Sequence, residues 1–199
     1  MRRNLLKLSG LRGLAALASP LLGRETAEAL WFDKKTYKVS KTRLSMGTFV
    51  SMTAIHTSKD QVEEAFEAAF TEIDRLSTLL SRHDDSSPVA ELNRTGTLEQ
   101  PHHHILEVVK RSHYYHRITD KAFDVTVKPL MDLYQQKFDA DQKPSENEIE
   151  KTLALVGSDG MEVTGTHLSF NRPGMGITLD GIAKGYIVDR ASEAVSYTH

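Results

Sequence analysis

A chain of 199 residues, 39% apolar and 26% charged, has the make-up of one globular domain and not of a disordered segment. Its net charge of −2 excludes the concentrated basic character of a general nucleic-acid binder. The lack of cysteine excludes disulfides, zinc–thiolate sites, thiol nucleophiles and a lipid-modified N-terminal cysteine.

Residues 1–29 differ in kind from the rest. "MRRNLLKLSG" carries Arg2, Arg3 and Lys7, and no acid precedes Glu25. The apolar stretch from Gly13 to Gly23 is too short for a hydrocarbon core of roughly 30 Å. Ala27-Glu28-Ala29 has the small-x-small form of a signal-peptidase site. The segment reads as an export signal, with the paired arginines favouring the twin-arginine type. An ordinary secretory signal or an amphipathic N-terminal helix is the alternative. Export would place residues 30–199 in the periplasm or on the outer face of the cytoplasmic membrane.

In the mature chain, Arg43–Ile55 alternates as a strand, with Val50, Met52 and Ala54 on one face. Gly47 reads as a bulge or a point of close ligand approach. Val62, Phe66, Ala69, Ile73, Leu76 and Leu80 recur at steps of three and four, so a long amphipathic helix is expected after a Ser58–Gln61 capping box. Ser81–Asn93 reads as a polar loop with a short helical turn. A second helix covers Ile105–Ile118, with Ile105, Val108, Val109 and Ser112 inward. Asp120–Gln136 combines an extended piece with a short helix after Pro129, and an acidic, lysine-rich loop leads into a further helix. "MEVTGTHLSF" predicts a hairpin. "GITL" predicts a short strand, and Ala183–Val195 a helix. The sum is one α+β domain, a mixed sheet with packed helices.

Three patterns carry candidate chemistry. At "LDGIAKGY", Asp180 and Gly181 precede a helix whose first turn holds Lys184 and Gly185. Free N–H groups at a helix start suit phosphate, and Lys184 adds a full charge. The spacing is neither a P-loop nor a dinucleotide fingerprint, and a glycine turn chosen for backbone geometry explains the bare pattern too. The run His102–His104 reads as a solvated helix start and not a metal site, because adjacent helical residues diverge. His113 and His116 could share a face, but no carboxylate at clear spacing joins them. Asp124 in "AFDVTVKPL" could accept from a ribose hydroxyl or an adenine amino group, or bind its own backbone in a turn.

Four blocks in order resemble the FAD:protein FMN transferase family, the ApbE-like flavin transferases: "SMGTFVSM", "LLSRHDDSSPVAELN", "KAFDVTVKPLMDLY" and "LDGIAKGYIVD". The resemblance implies a T-fold-like domain that binds FAD, cleaves its pyrophosphate with Mg2+, and attaches FMN to a threonine of an acceptor subunit in an envelope redox complex. It implies that Met46 sits against the flavin and that His83, standing where many relatives have an aromatic residue, belongs to the cofactor-binding set. Ala122, Phe123 and Asp124 would line the adenosine, Thr178, Asp180 and Lys184 the rest of the nucleotide, and the Gly181 carbonyl would reach the metal. Relatives often read Asp-Leu-Gly-Gly where this chain reads Thr178-Leu179-Asp180-Gly181, so the carboxylate is displaced by two residues. The family's later histidine-bearing and aspartate–threonine metal segments have no counterpart here. The chain is therefore expected to be a C-terminally truncated, inactive or nearly inactive fragment with open sheet edges. An FAD carrier, an FAD hydrolase or a purely structural domain is the alternative.

Overall fold

In a computed structural model, residues 25–33 and 35–196 are described. The export-signal expectation falls mainly on residues 1–24, outside them, while Ala27–Ala29 lie in the first strand. The first sheet runs β1 (Glu25–Trp31), β2 (Tyr37–Ser45) and β3 (Thr48–His56), antiparallel with β2 in the middle. The strand expected over Arg43–Ile55 is thus a hairpin. Ser45 pairs with Thr48, leaving Met46 and Gly47 as a two-residue turn at φ 53° and 70°. Two left-handed residues in succession match the twist of a tight hairpin. Gly47 adopts that conformation freely; Met46 does so at a cost of roughly 1 kcal/mol or more.

Helix α1 (Lys59–Leu80) lies along this sheet and buries the whole predicted stripe. At about 1.5–3 kcal/mol per large apolar side chain, that stripe is the main local contribution to the core. Only half of the expected capping box forms. Ser58 accepts from the Gln61 N–H, but its own N–H goes to His56 Nδ1.

The supposed loop after α1 contains α2 (Pro88–Thr95), capped by the Ser87 hydroxyl, with proline at its start and left-handed Gly96 at its end. Then come β4 (Thr97–Glu99), α3 (His103–Ile118) with the four predicted residues inward, and a 3₁₀ turn at Val125–Val127 in place of the extended piece. Next are α4 (Lys128–Asp139) and α5 (Glu146–Leu153), the latter opened by a complete Ser145–Glu148 capping box. β5 (Met161–Val163) and β6 (His167–Phe170) form the expected hairpin. β4 pairs on the other side of β6, so the second sheet is also antiparallel, in order β4-β6-β5. The α+β class holds, with two three-stranded antiparallel sheets among the described residues in place of one mixed sheet.

"GITL" is not a strand. Ile177, Thr178 and Leu179 are buried, and their backbone is satisfied from elsewhere. The Asn93 side-chain amide grips Ile177 on both sides, accepting from its N–H at 2.7 Å and donating to its carbonyl at 3.0 Å; the Thr178 N–H donates to the Val125 carbonyl. An amide side chain thus replaces a neighbouring strand. Gly176 permits the approach, since a Cβ there would meet Lys128 and Asn93 at 3.0 and 3.1 Å. The buried segment fixes where α6 (Ala183–Ser196) begins, and Ala183, Tyr186, Ile187 and Ala191 pack that helix into the core against α1. No described helix is long and apolar enough to cross a membrane.

Candidate functional site

The turn Thr178–Ile182 and the start of α6 are the hub. The Leu179 carbonyl already accepts the N–H groups of Ile182 and Ala183. The N–H groups of Lys184 and Gly185 have no backbone partner among the described residues, and there the partial positive charge of the helix is open. The Lys184 side chain is exposed and makes no ion pair among the described residues.

A cavity of about 510 Å³ opens beside this helix start, lined by Met46, Ser81, His83, Asp180, Lys184 and Ile187 among others. Four of the predicted site residues, drawn from three of the four blocks, therefore converge. The strained turn at Met46 directs a thioether to its wall. His83 is two-thirds exposed, with Nε2 3.8 Å from Asp180 Oδ2.

Asp180 is held by a residue that the sequence did not single out. Arg82 Nε donates to Asp180 Oδ2 at 3.0 Å while its terminal nitrogen lies 3.7 Å from Asp132, itself paired with Lys128. Burial pushes the Asp180 carboxyl up, but hydrogen bonds from Arg82 and Thr178, with the nearby charges, outweigh it and hold the group below the ordinary carboxylate value. Nothing local to the SRHDD segment marks Arg82, because its partner is 98 residues further along.

Phe123 and Gly181 meet at a neighbouring cavity of about 360 Å³ with Tyr115, Ile182 and Tyr186. A Cβ on Gly181 would meet the edge of the Phe123 ring at 3.4 Å, so the ring packs directly on the turn. The other predicted residues are placed differently. Thr178 is buried beneath the turn, where its hydroxyl accepts the Asp180 N–H at 3.3 Å and meets the Asp180 carboxyl, although the segment is not a strand. Ala122 is exposed and lines neither cavity. The Asp124 carboxylate is engaged internally: Oδ1 accepts from the Thr126 N–H and hydroxyl and from the Ser158 hydroxyl, and Oδ2 from the Ser158 N–H. The backbone turn, one of the roles open to it in the sequence, is formed.

The histidine run is only partly solvated. His102 caps α3 through Nδ1, His103 is exposed, and His104 is buried. The three rings are the one group of three or more metal-type side chains among the described residues with ligand atoms within 4.8 Å of one another. Their lone pairs are largely spent. Tyr186 donates to Glu107 at 2.8 Å, so it accepts from His104 Nδ1–H; His104 Nε2 then accepts from Arg75 at 2.9 Å. The run is a structural joint between α1, α3 and α6.

The ApbE family model matches residues 46–198. A FAD:protein FMN transferase of Klebsiella pneumoniae is 28% identical over 131 residues, covering 62% of this chain and 40% of that protein. One of Vibrio cholerae is 32% identical over 111 residues, covering 55% and 30%. Among solved structures, the ApbE protein of Thermotoga maritima aligns with TM-score 0.70 at 24% identity, over 87% of this chain and 53% of that one. The apo flavinyl transferase ApbE of Pseudomonas stutzeri aligns with TM-score 0.70 at 22% identity, over 89% and 55%. The chain thus spans less than half the length of the curated relatives it matches, and about half that of the solved structures. With the family model covering nearly all of the described fold from the Met46 turn through α6, the chain belongs to the ApbE family.

Proposed function

We propose that this chain carries the FAD-binding part of an exported, Mg2+-dependent FAD:protein FMN transferase. In the reaction a threonine hydroxyl oxygen of an acceptor redox subunit bonds to the FMN-side phosphorus, the pyrophosphate P–O bond breaks, and AMP leaves. The observation that carries this reading is the convergence of Met46, His83, Asp180 and Lys184 on one cavity beside unpaired helix N–H groups, in a member of this family.

Each residue has a physical task. Lys184 and the N–H groups of Lys184 and Gly185 bind phosphate oxygens, as donors fixed before the substrate arrives. Met46 offers a polarisable contact to a flat ring. Phe123 closes the turn on its neighbouring side, and Arg82 holds Asp180 ionised and oriented. The Gly181 carbonyl accepts no hydrogen bond among the described residues, and together with the Asp180 carboxylate it is a hard oxygen donor of the kind Mg2+ selects. When bound, Mg2+ would supply positive charge to the pyrophosphate as its bond breaks.

FAD binding followed by flavin fluorescence tests the reading. Lys184→Ala is expected to weaken binding about tenfold, the loss of one charge-assisted hydrogen bond. Failure of the wild-type chain to bind FAD with Mg2+ present would sink the proposal. Chromatography of the products then divides the outcomes: this chain alone is expected to return FAD intact, FMN on an acceptor would show it active by itself, and free FMN with AMP would make it a hydrolase.

A further inference from the structure

The second half of α3 carries a pair of imidazoles that the nucleotide cavity does not use. His113 and His116, one turn apart, line a separate cavity of about 540 Å³ that also holds two acids, Asp120 and Asp159, and two cations, Arg117 and Lys121. It shares no residue with the cavity around Lys184. Both Nε2 atoms are buried, and neither has a hydrogen-bond partner among the described residues. His116 is 6% exposed, so its orphan nitrogen is a genuine cost in the fold.

The ring of His116 is fixed from behind. Its Nδ1 lies 3.0 Å from the Phe123 carbonyl, which can only accept, so Nδ1 carries the proton. Asp124 Oδ2 lies 3.2 Å from the same nitrogen. In the neutral ring the lone pair is therefore on Nε2. The carboxylate that spacing alone did not reveal is Asp124, delivered by the loop after α3. A histidine whose far nitrogen donates to a carbonyl, with a carboxylate beside it and a bare Nε2, has the arrangement that orients metal-ligating imidazoles.

We propose that His113 and His116 bind a divalent first-row transition cation, with Zn2+ as the type case, and that Asp124 is the positioning residue for His116. The remaining ligands are water and an acid from the cavity wall. Asp159 is the foremost candidate, once it releases Lys121, to which it is paired at 2.9 Å. Imidazole nitrogen selects Zn2+, Ni2+ or Cu2+ over Mg2+, so this site is chemically distinct from any that serves the pyrophosphate.

The test is calorimetric titration of Zn2+ into the metal-free chain with Mg2+ in excess, repeated with Co2+ for its visible absorption. One strong equivalent is expected. His113→Asn and His116→Asn should each weaken it by at least about tenfold and abolish the cobalt bands, while the double variant His102→Asn/His103→Asn retains both. No uptake by the wild type overturns the proposal. So does uptake that survives His113→Asn and disappears in the double variant, which would move the metal to the start of α3. Asparagine keeps a donor for the Phe123 carbonyl at position 116. Should that variant fail to fold by circular dichroism, His113→Asn decides alone, since its ring makes no hydrogen bond among the described residues.

Discussion

The two ends of α3 hold histidines of opposite character. At the start, His102 caps the helix and His104 is bonded through both nitrogens, to Tyr186 and Arg75. In the last turns, His113 and His116 each present a buried nitrogen with no partner among the described residues. The conspicuous run is structural, and the scattered pair is free. What separates them is the chemistry facing each end: a tyrosine and an arginine from α6 and α1 at one, a carbonyl and a carboxylate from one loop at the other.

The sharpest way to break this contrast is to remove His104. His104→Ala leaves Tyr186 without its donor, leaves Arg75 held only by Glu72 and opens a void between three helices. A loss of about 2–4 kcal/mol is expected in urea denaturation. A loss below 1 kcal/mol would mean that the joint is ornamental.

The same joint should respond to pH. Burial, then His103 and Arg75, hold the His104 pKa below the ordinary histidine value of about 6.5. Glu72, Glu107 and Tyr186 also face it, and the balance still disfavours the charged ring. With the folded pKa below the unfolded one, the contribution is whole above about pH 6.5 and is lost as pH falls through the folded value. His102 and His113 are shifted the same way, also chiefly by burial. The melting temperature should therefore drop from pH 7.5 to 5.5. His104→Gln, which can still donate and accept, should flatten that slope, and an unchanged slope would assign the effect to the other rings.

How far such features could be read in the sequence depends on whether their partners are local. The stripe of α1, the inward face of α3 and the start of α6 rest on spacings within a few turns, and all three appear where expected. The β2–β3 hairpin was hidden because Val50, Met52 and Ala54 all lie beyond its turn. The missing signal was a change of parity, with Val39 and Ser45 buried on odd positions and the next strand packing on even ones. "GITL" misled because its backbone partner is the side chain of Asn93. In the candidate site, Lys184 and Gly181 were legible as helix-start chemistry. Arg82 and the backing of His116 were not, since both depend on chain closure.

A smaller effect is expected at Arg82. Its side chain is 15% exposed and holds Asp180, but Asp180 is half exposed, so water screens the pair. Arg82→Met should cost less than about 1 kcal/mol of stability. Its larger consequence should be in FAD binding, where a released Asp180 adds loose negative charge beside the phosphate donors. A stability loss of several kcal/mol, with FAD affinity unchanged, would make Arg82 a structural strut.

The smallest expected effect is the most discriminating for α3. His103 lies between two histidines with structural tasks, and its ring is exposed, stacked only against His102 and His104. His103→Ala removes no buried hydrogen bond, and alanine is a better helix former than histidine at the first helical position. Stability should shift by no more than about 0.5 kcal/mol, in either direction. Removal of a cationic neighbour should also raise the His104 pKa slightly, because His103 is among the charges that lower it. The acid-side loss of stability would then begin at a lower cost per proton, and the melting curve between pH 6.5 and 5.5 should flatten a little. A large destabilisation from so exposed a ring would show that the three stacked histidines act as one unit, and that the division between a structural and a free set runs through His103 instead of along the helix.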